Sequence, residues 1–122
     1  VPDISMACSR AVSFGKDGQT VTGRTMHWFI SDMDTNQWLY PRGLERNSGT
    51  KTPFTWKSKY GSVATTIYEG AAADGMNEKG LVANLLYLPQ SEYPPARPDD
   101  KRPTLPNSAW VQYVLDNYAT TA

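Results

Sequence analysis

Cys8-Ser9-Arg10-Ala11-Val12-Ser13-Phe14-Gly15-Lys16-Asp17-Gly18-Gln19-Thr20-Val21-Thr22-Gly23-Arg24-Thr25-Met26-His27-Trp28 is the stretch on which the fold of this chain turns. Residues 8–14 alternate in the manner of a strand and run into Gly15-Lys16-Asp17-Gly18, a strong turn signal. Thr20 to Phe29 is rich in β-branched and aromatic residues and reads as the returning strand. Such a hairpin brings Cys8, the single cysteine, close to the far end of the second strand, around Arg24 to Trp28.

Beyond the hairpin, Ser31-Asp32-Met33-Asp34-Thr35-Asn36 reads as a polar loop and Gln37 to Tyr40 as a short strand closed by Pro41-Arg42-Gly43. Leu44 to Pro53 has no periodicity and is expected to be loop. Phe54 to Tyr60 and Ser62 to Tyr68 read as a second hairpin turning at Gly61, followed by a small, flexible Glu69–Asp74 segment. Gly75 to Gly80 is a turn, with Gly80 supplying the positive φ, into the most apolar run, Leu81 to Leu88, expected as a buried strand. Gln90 to Leu105, dense in proline, is expected to travel as an extended loop. Asn107 or Ser108 then caps a helix whose inner face carries Trp110, Val111, Val114, Leu115 and Tyr118, with Gln112, Asp116 and Asn117 off that face.

Four or five strands and one amphipathic helix make an α+β protein with one covering layer. The Leu81–Leu88 strand asks for cover on both faces, so the chain reads as an incomplete domain. The 122 residues carry zero net charge with scattered basic side chains, which leaves no electrostatic footprint for nucleic acid. No apolar run reaches the length of a membrane span. Residues 1–7 lack the charged and apolar parts of a signal peptide, but Ser5-Met6-Ala7 resembles the tail of one, and a cut there makes Cys8 the new N-terminus.

Cys8 is the candidate nucleophile, with a buried structural thiol or a lipid-modified cysteine as the alternatives. The lipoprotein reading is weakened by Ser5, which stands where that signal prefers an aliphatic residue. Thiols ordinarily titrate near ~8.5 and react as thiolates. A free α-amino group titrates at roughly 7.7–8.0, so an N-terminal cysteine carries nucleophile and base in one residue. That suits a chain with one histidine, His27, which lacks the companions a metal site needs. Arg24 lies in a strand flanked by apolar residues and requires a partner, for which a structural ion pair with Asp32 or Asp34 is one candidate. Asn84 reads as a structural buried polar group.

Gly23-Arg24-Thr25-Met26-His27-Trp28 and Asp74-Gly75-Met76-Asn77-Glu78-Lys79-Gly80-Leu81 strongly resemble the choloylglycine hydrolase family, which holds penicillin V acylases and conjugated bile salt hydrolases. Tyr40-Pro41-Arg42-Gly43, residues 56–63 and residues 109–118 resemble its Gram-negative branch, and the similarity runs from Cys8 to the last residue. The resemblance implies the N-terminal portion of an N-terminal-nucleophile (Ntn) hydrolase, a four-layer αββα sandwich. Residues 1–7 would be a residual signal or pro segment and residues 8–122 the N-terminal part of the domain.

It further implies hydrolysis of linear amides through a thioester on Cys8, with Arg24 beside the sulfur, where a positive charge favours thiolate. The family aspartate that holds the N-terminal amine is replaced here by His27. A neutral imidazole accepts one hydrogen bond and brings no fixed negative charge. By the same resemblance Trp28 and Tyr87 line the acyl pocket, and the Tyr87 backbone N–H joins the oxyanion hole. An aromatic residue at 87 leans toward penicillin V acylase rather than bile salt hydrolase, with N-acyl homoserine lactones as further substrates. Also expected are no cofactor, a periplasmic or secreted location, the remainder of the same domain as a partner, and a homo-oligomer, a tetramer by resemblance. An inactive fragment or binding protein is the alternative of a different class.

Overall fold

The computed structural model describes residues 8–30, 32–95 and 97–122, so the readings placed on residues 1–7 and on Ser31 lie outside the described residues. The elements run β1 Ser9–Phe14, β2 Thr20–Thr25, β3 Asn36–Tyr40, β4 Glu45–Asn47, β5 Thr55–Lys57, β6 Ser62–Ile67, β7 Ala71–Asn77, β8 Val82–Asn84 and α1 Asn107–Asn117. They fall into two compact units, one holding β1, β2 and residues 86–93, the other holding the remaining elements.

In the first unit β1 and β2 form the expected antiparallel hairpin, with Ser9 opposite Thr25 and Phe14 opposite Thr20. Gly15 closes it by donating to the Gln19 carbonyl at 2.7 Å, and Gly18 donates back to Gly15 at φ +74°. A type I turn followed by a left-handed glycine is the common three-residue hairpin loop, and it explains the Gly-Lys-Asp-Gly sequence. The returning strand is shorter than its composition promised: it stops at Thr25, and residues 26–30 follow an irregular path.

In the second unit a four-stranded antiparallel sheet has the order β3-β6-β7-β8, and β4 pairs with β5 in a separate ribbon. The expected hairpin about Gly61 is therefore absent. Residues 55–57 pair with 45–47, inside the segment expected to be loop, while β6 takes β3 and β7 as neighbours. Three-residue strands carry too little alternation to be seen as a period. The Glu69–Asp74 segment, expected to be flexible, instead opens the buried strand β7, with Ala72 and Ala73 at 2% and 1% exposure. Its alanines were misread because they carry little β-propensity; burial under a helix outweighs that. The β6–β7 turn hides its signature too, since Tyr68 and Glu69 occupy the left-handed region at φ +51° and +62°, where Asn-Gly is usual. The apolar 81–88 run forms a strand only over Val82–Asn84, with Leu86, Tyr87 and Leu88 exposed.

Helix α1 lies on β7, β8 and β6, and Val111 and Leu115 pack on Ala64 and Ala72. Small residues on the sheet let the helix approach closely: a Cβ on Gly75 would lie 2.5 Å from Leu115 Cδ1 and 2.8 Å from the Val63 carbonyl. The buried face is rotated from the expected one. Val111, Gln112, Leu115 and Asp116 are buried, while Trp110 and Tyr118 are about half exposed at 53% and 48%. Neither Asn107 nor Ser108 caps the helix; the N-cap position is Pro106, without a side-chain cap.

Asn77 fastens the helix end to the sheet. Its Nδ2 donates to the Leu115 and Tyr118 carbonyls at 2.9 and 2.7 Å, and its Oδ1 accepts from Lys79 and Leu81 N–H at 3.0 and 3.1 Å. The turn expected over Gly75–Gly80 is shorter, since Gly75, Met76 and Asn77 finish β7; it runs from Asn77 to Gly80, with Gly80 at φ +82°. Next to it, Arg42 pairs with Glu78 through Nε–Oε1 at 2.6 Å and Nη2–Oε2, while Gly61 N–H donates to Glu78 Oε1 at 2.9 Å.

Replacing Gly75 by alanine forces Leu115 or the β6 backbone to move and is expected to cost about 1–3 kcal/mol by urea unfolding. The Arg42 hydrogen bond, helped by the Gly61 N–H, holds the Glu78 carboxyl below its ordinary range. Its contribution is then fully present above the unfolded-state value near ~4.3 and is lost as pH falls through the lower folded value. Stability curves of wild type and Glu78→Gln should accordingly differ at pH 7 and converge on acidification.

Candidate active site

The hairpin places the predicted residues in an order set by its register. Arg10 stands opposite Arg24, and strand alternation puts Cys8, Arg10 and Arg24 on one face of the ribbon. Cys8 is half-buried, a free thiol whose Sγ lies 4.0 Å from the His27 carbonyl oxygen. One residue on, Ser9 N–H donates to Thr25 Oγ1 at 3.3 Å and holds the two strand ends together. The tight Gly-Lys-Asp-Gly loop is therefore what sets Cys8 beside residues 26–28. Two guanidinium groups directly opposite on one face are an unfavourable cross-strand pair by themselves.

His27 is brought next to Cys8 through its main chain, while its side chain is exposed and makes no hydrogen bond among the described residues. Trp28 and Tyr87 meet edge to face, with centroids 5.1 Å apart at 87°. Phe29, which sequence reasoning missed, completes the cluster: it lies 5.6 Å from Trp28 and 6.2 Å from Tyr87. Consecutive residues of an extended strand point to opposite faces, so a strand running to Phe29 would part Phe29 from Trp28. The end of β2 at Thr25 removes that restriction. Rings at 5–7 Å in edge-to-face geometry each gain roughly 0.5–1.5 kcal/mol beyond area burial. Phe29 keeps 69% of its surface exposed and Tyr87 37%, leaving ring faces open to an apolar group.

Asn84, in the other unit, donates through Nδ2 to Asp74 Oδ1 at 2.7 Å, while its Oδ1 is buried without a partner among the described residues. Among the described residues no cluster of three or more His, Cys, Asp or Glu side chains could hold a metal ion. No helix among them is long and apolar enough to cross a membrane.

A solved penicillin V acylase from Agrobacterium tumefaciens superposes with a TM-score of 0.83 over 92% of this chain and 35% of that one, at 47% identity. That likeness defines the class: a mixed strand-and-helix portion of an Ntn-hydrolase fold. The pattern of "Linear amide C-N hydrolases, choloylglycine hydrolase family" matches residues 8–122, and the chain belongs to that family. The penicillin V acylase of Pectobacterium atrosepticum is 43% identical over 125 residues, covering 96% of this chain. The chain spans about a third of the length of these relatives.

Proposed function

We propose that the whole protein hydrolyses linear amides of the penicillin V acylase type, with Cys8 as an N-terminal nucleophile after a cut between Ala7 and Cys8. The observation that carries this reading is the hairpin end, where the Cys8 thiol lies 4.0 Å from the His27 carbonyl, one residue from the Trp28–Phe29–Tyr87 cluster. The family pattern begins at the same cysteine.

In this mechanism the Cys8 α-amine takes the thiol proton and the sulfur attacks the amide carbonyl. The proton then passes to the departing nitrogen as the C–N bond breaks. Water, deprotonated by the same amine, hydrolyses the thioester and releases the acid. Arg24 shares the Cys8 face of the hairpin and stabilises negative charge at sulfur. The Tyr87 main-chain N–H serves the oxyanion, and the three rings receive an aromatic or medium-chain acyl group. Phenoxymethylpenicillin and N-acyl homoserine lactones carry acyl groups of those kinds, and the aromatic residue at 87 sets conjugated bile salts in second place. The location is periplasmic or secreted and the assembly a homo-oligomer, a tetramer in this reading.

His27 favours a second reading, a protein of weak or silent catalysis. Its side chain brings no carboxylate to the amine and has no hydrogen-bond partner among the described residues.

Mass spectrometry of the mature protein should find Cys8 at the N-terminus; a protein that never exposes it sinks the proposal. Cys8→Ala should abolish hydrolysis of phenoxymethylpenicillin while circular dichroism stays unchanged. His27→Asp restores a charged acceptor, and a charge-assisted hydrogen bond worth about 1.5–3 kcal/mol should raise kcat/KM by roughly 10- to 100-fold. An unchanged rate removes the amine-holding role from position 27, and inactivity of both forms on every amide favours the silent reading.

A further inference from the structure

A cavity of about 300 Å³ opens in the second unit between the β4–β5 ribbon and the start of α1, lined by Arg46, Ser48, Trp56, Ser108, Ala109 and Gln112 among others. Three features converge on it. The first is Arg46, whose guanidinium stacks 4.3 Å over the Tyr40 ring and faces Asp116 Oδ2 at 3.4 Å through Nε. Its Nη2 is buried with no hydrogen-bond partner.

The second is the N-terminus of α1, an eleven-residue helix with no side-chain cap and no acidic residue in its first turn. Ala109 N–H already bonds the Pro106 carbonyl at 3.0 Å, so what this end offers an anion is the helix's partial positive charge.

The third is Gln112, 7% exposed, which gives its Nε2 to Asp116 Oδ1 at 2.7 Å and to Ser62 Oγ at 3.2 Å. That leaves Gln112 Oε1 buried and unpartnered, on a residue that forms the cavity wall. Asp116 does not compete for the Arg46 Nη2 edge, because Trp56 Nε1 at 2.8 Å, Gln112 Nε2 and the Arg46 Nε side already surround its two oxygens.

The cavity thus offers two positive groups, the Arg46 Nη2 and the helix terminus, and one acceptor, Gln112 Oε1. An occupant that satisfies all three has negative oxygens and at least one O–H. We propose that the cavity binds a small oxyanion retaining a hydroxyl, of the hydrogen phosphate class, free or as the head of a hydroxylated phosphomonoester. Sulfate has the same size and charge but, at neutral pH, no proton to give Gln112. The site is independent of the amide-hydrolase reading, since none of its residues belongs to the hairpin unit.

The test is thermal unfolding at pH 7 and matched ionic strength with inorganic phosphate, sulfate or glycerol 3-phosphate. Phosphate at a few times its Kd should raise Tm by roughly 4 °C more than sulfate. A shift with glycerol 3-phosphate that matches or exceeds the phosphate shift assigns the site to esters, and a smaller one to the free ion. Arg46→Gln should weaken the response to phosphate and sulfate alike and so collapse the difference between them. Ser108→Asp is the second variant: a carboxylate in the first helical turn favours the helix, so the protein stays folded, yet it repels the anion. Equal shifts for all three salts, or a phosphate preference retained in both variants, overturns the proposal.

Discussion

The carboxylate of Asp116, with no exposed surface, is the constraint around which the larger unit is arranged. A buried charge costs several kcal/mol unless it is met on all sides, and removing one partner from such a set commonly costs about 3–5 kcal/mol. Two side chains from distant parts of the sequence, Trp56 and Arg46, meet it, and Gln112 joins them from one turn back on the same helix. Its main-chain carbonyl accepts from the Lys59 and Tyr60 N–H groups at 2.8 and 3.3 Å. One residue thereby joins the β4–β5 ribbon, the approach to β6 and the helix. The ring cluster of Phe54, Trp56 and Tyr113 packs edge to face beside it and fixes the angle at which the indole N–H arrives.

Around that contact the apolar core is small. Ala64 and Ala72 from the sheet meet Val111 and Leu115 from the helix, and Gly75 lets the helix sit low. Such side chains bury little area each, so the apolar gain is modest at about 25 cal/mol per Å². Uniqueness comes from polar groups with fixed valence: Asn77 saturates four main-chain groups, and Ser58 Oγ accepts from Leu44 N–H at 2.9 Å. Burying a polar group in any other register would leave it unpaired, which costs more than losing a methyl contact.

The sequence announced the parts whose turns have strict chemistry. Gly15 to Gly18 and Gly80 demand left-handed or tight backbone, so the hairpin of Cys8 and the turn after Asn77 were both legible, and with them the neighbourhood of Cys8, Arg24 and His27. Trp28 with Tyr87 was legible through family resemblance, whereas Phe29 depends on where β2 stops, which no residue announces. The helix was found and its face misjudged, because hydrophobicity alone cannot foresee that Gln112 and Asp116 point inward. Their i, i+4 spacing was the available signal. The three-residue strands β4 and β5 and the alanines of β7 were hidden for a simpler reason: pairing and burial, not side-chain preference, make them strands.

All six residues of β1 are exposed, and β2 is little better covered, while β6 and β7 are largely sealed under the helix. A ladder that buries little surface opens at low free energy, and its amides trade hydrogen with solvent long before those of a sealed strand. Cys8, the proposed nucleophile, therefore flanks the least covered ladder among the described residues, and the sheet under the helix carries none of the chemistry proposed for the protein. The cut proposed before Cys8 would fall at the end of that thinly covered ladder.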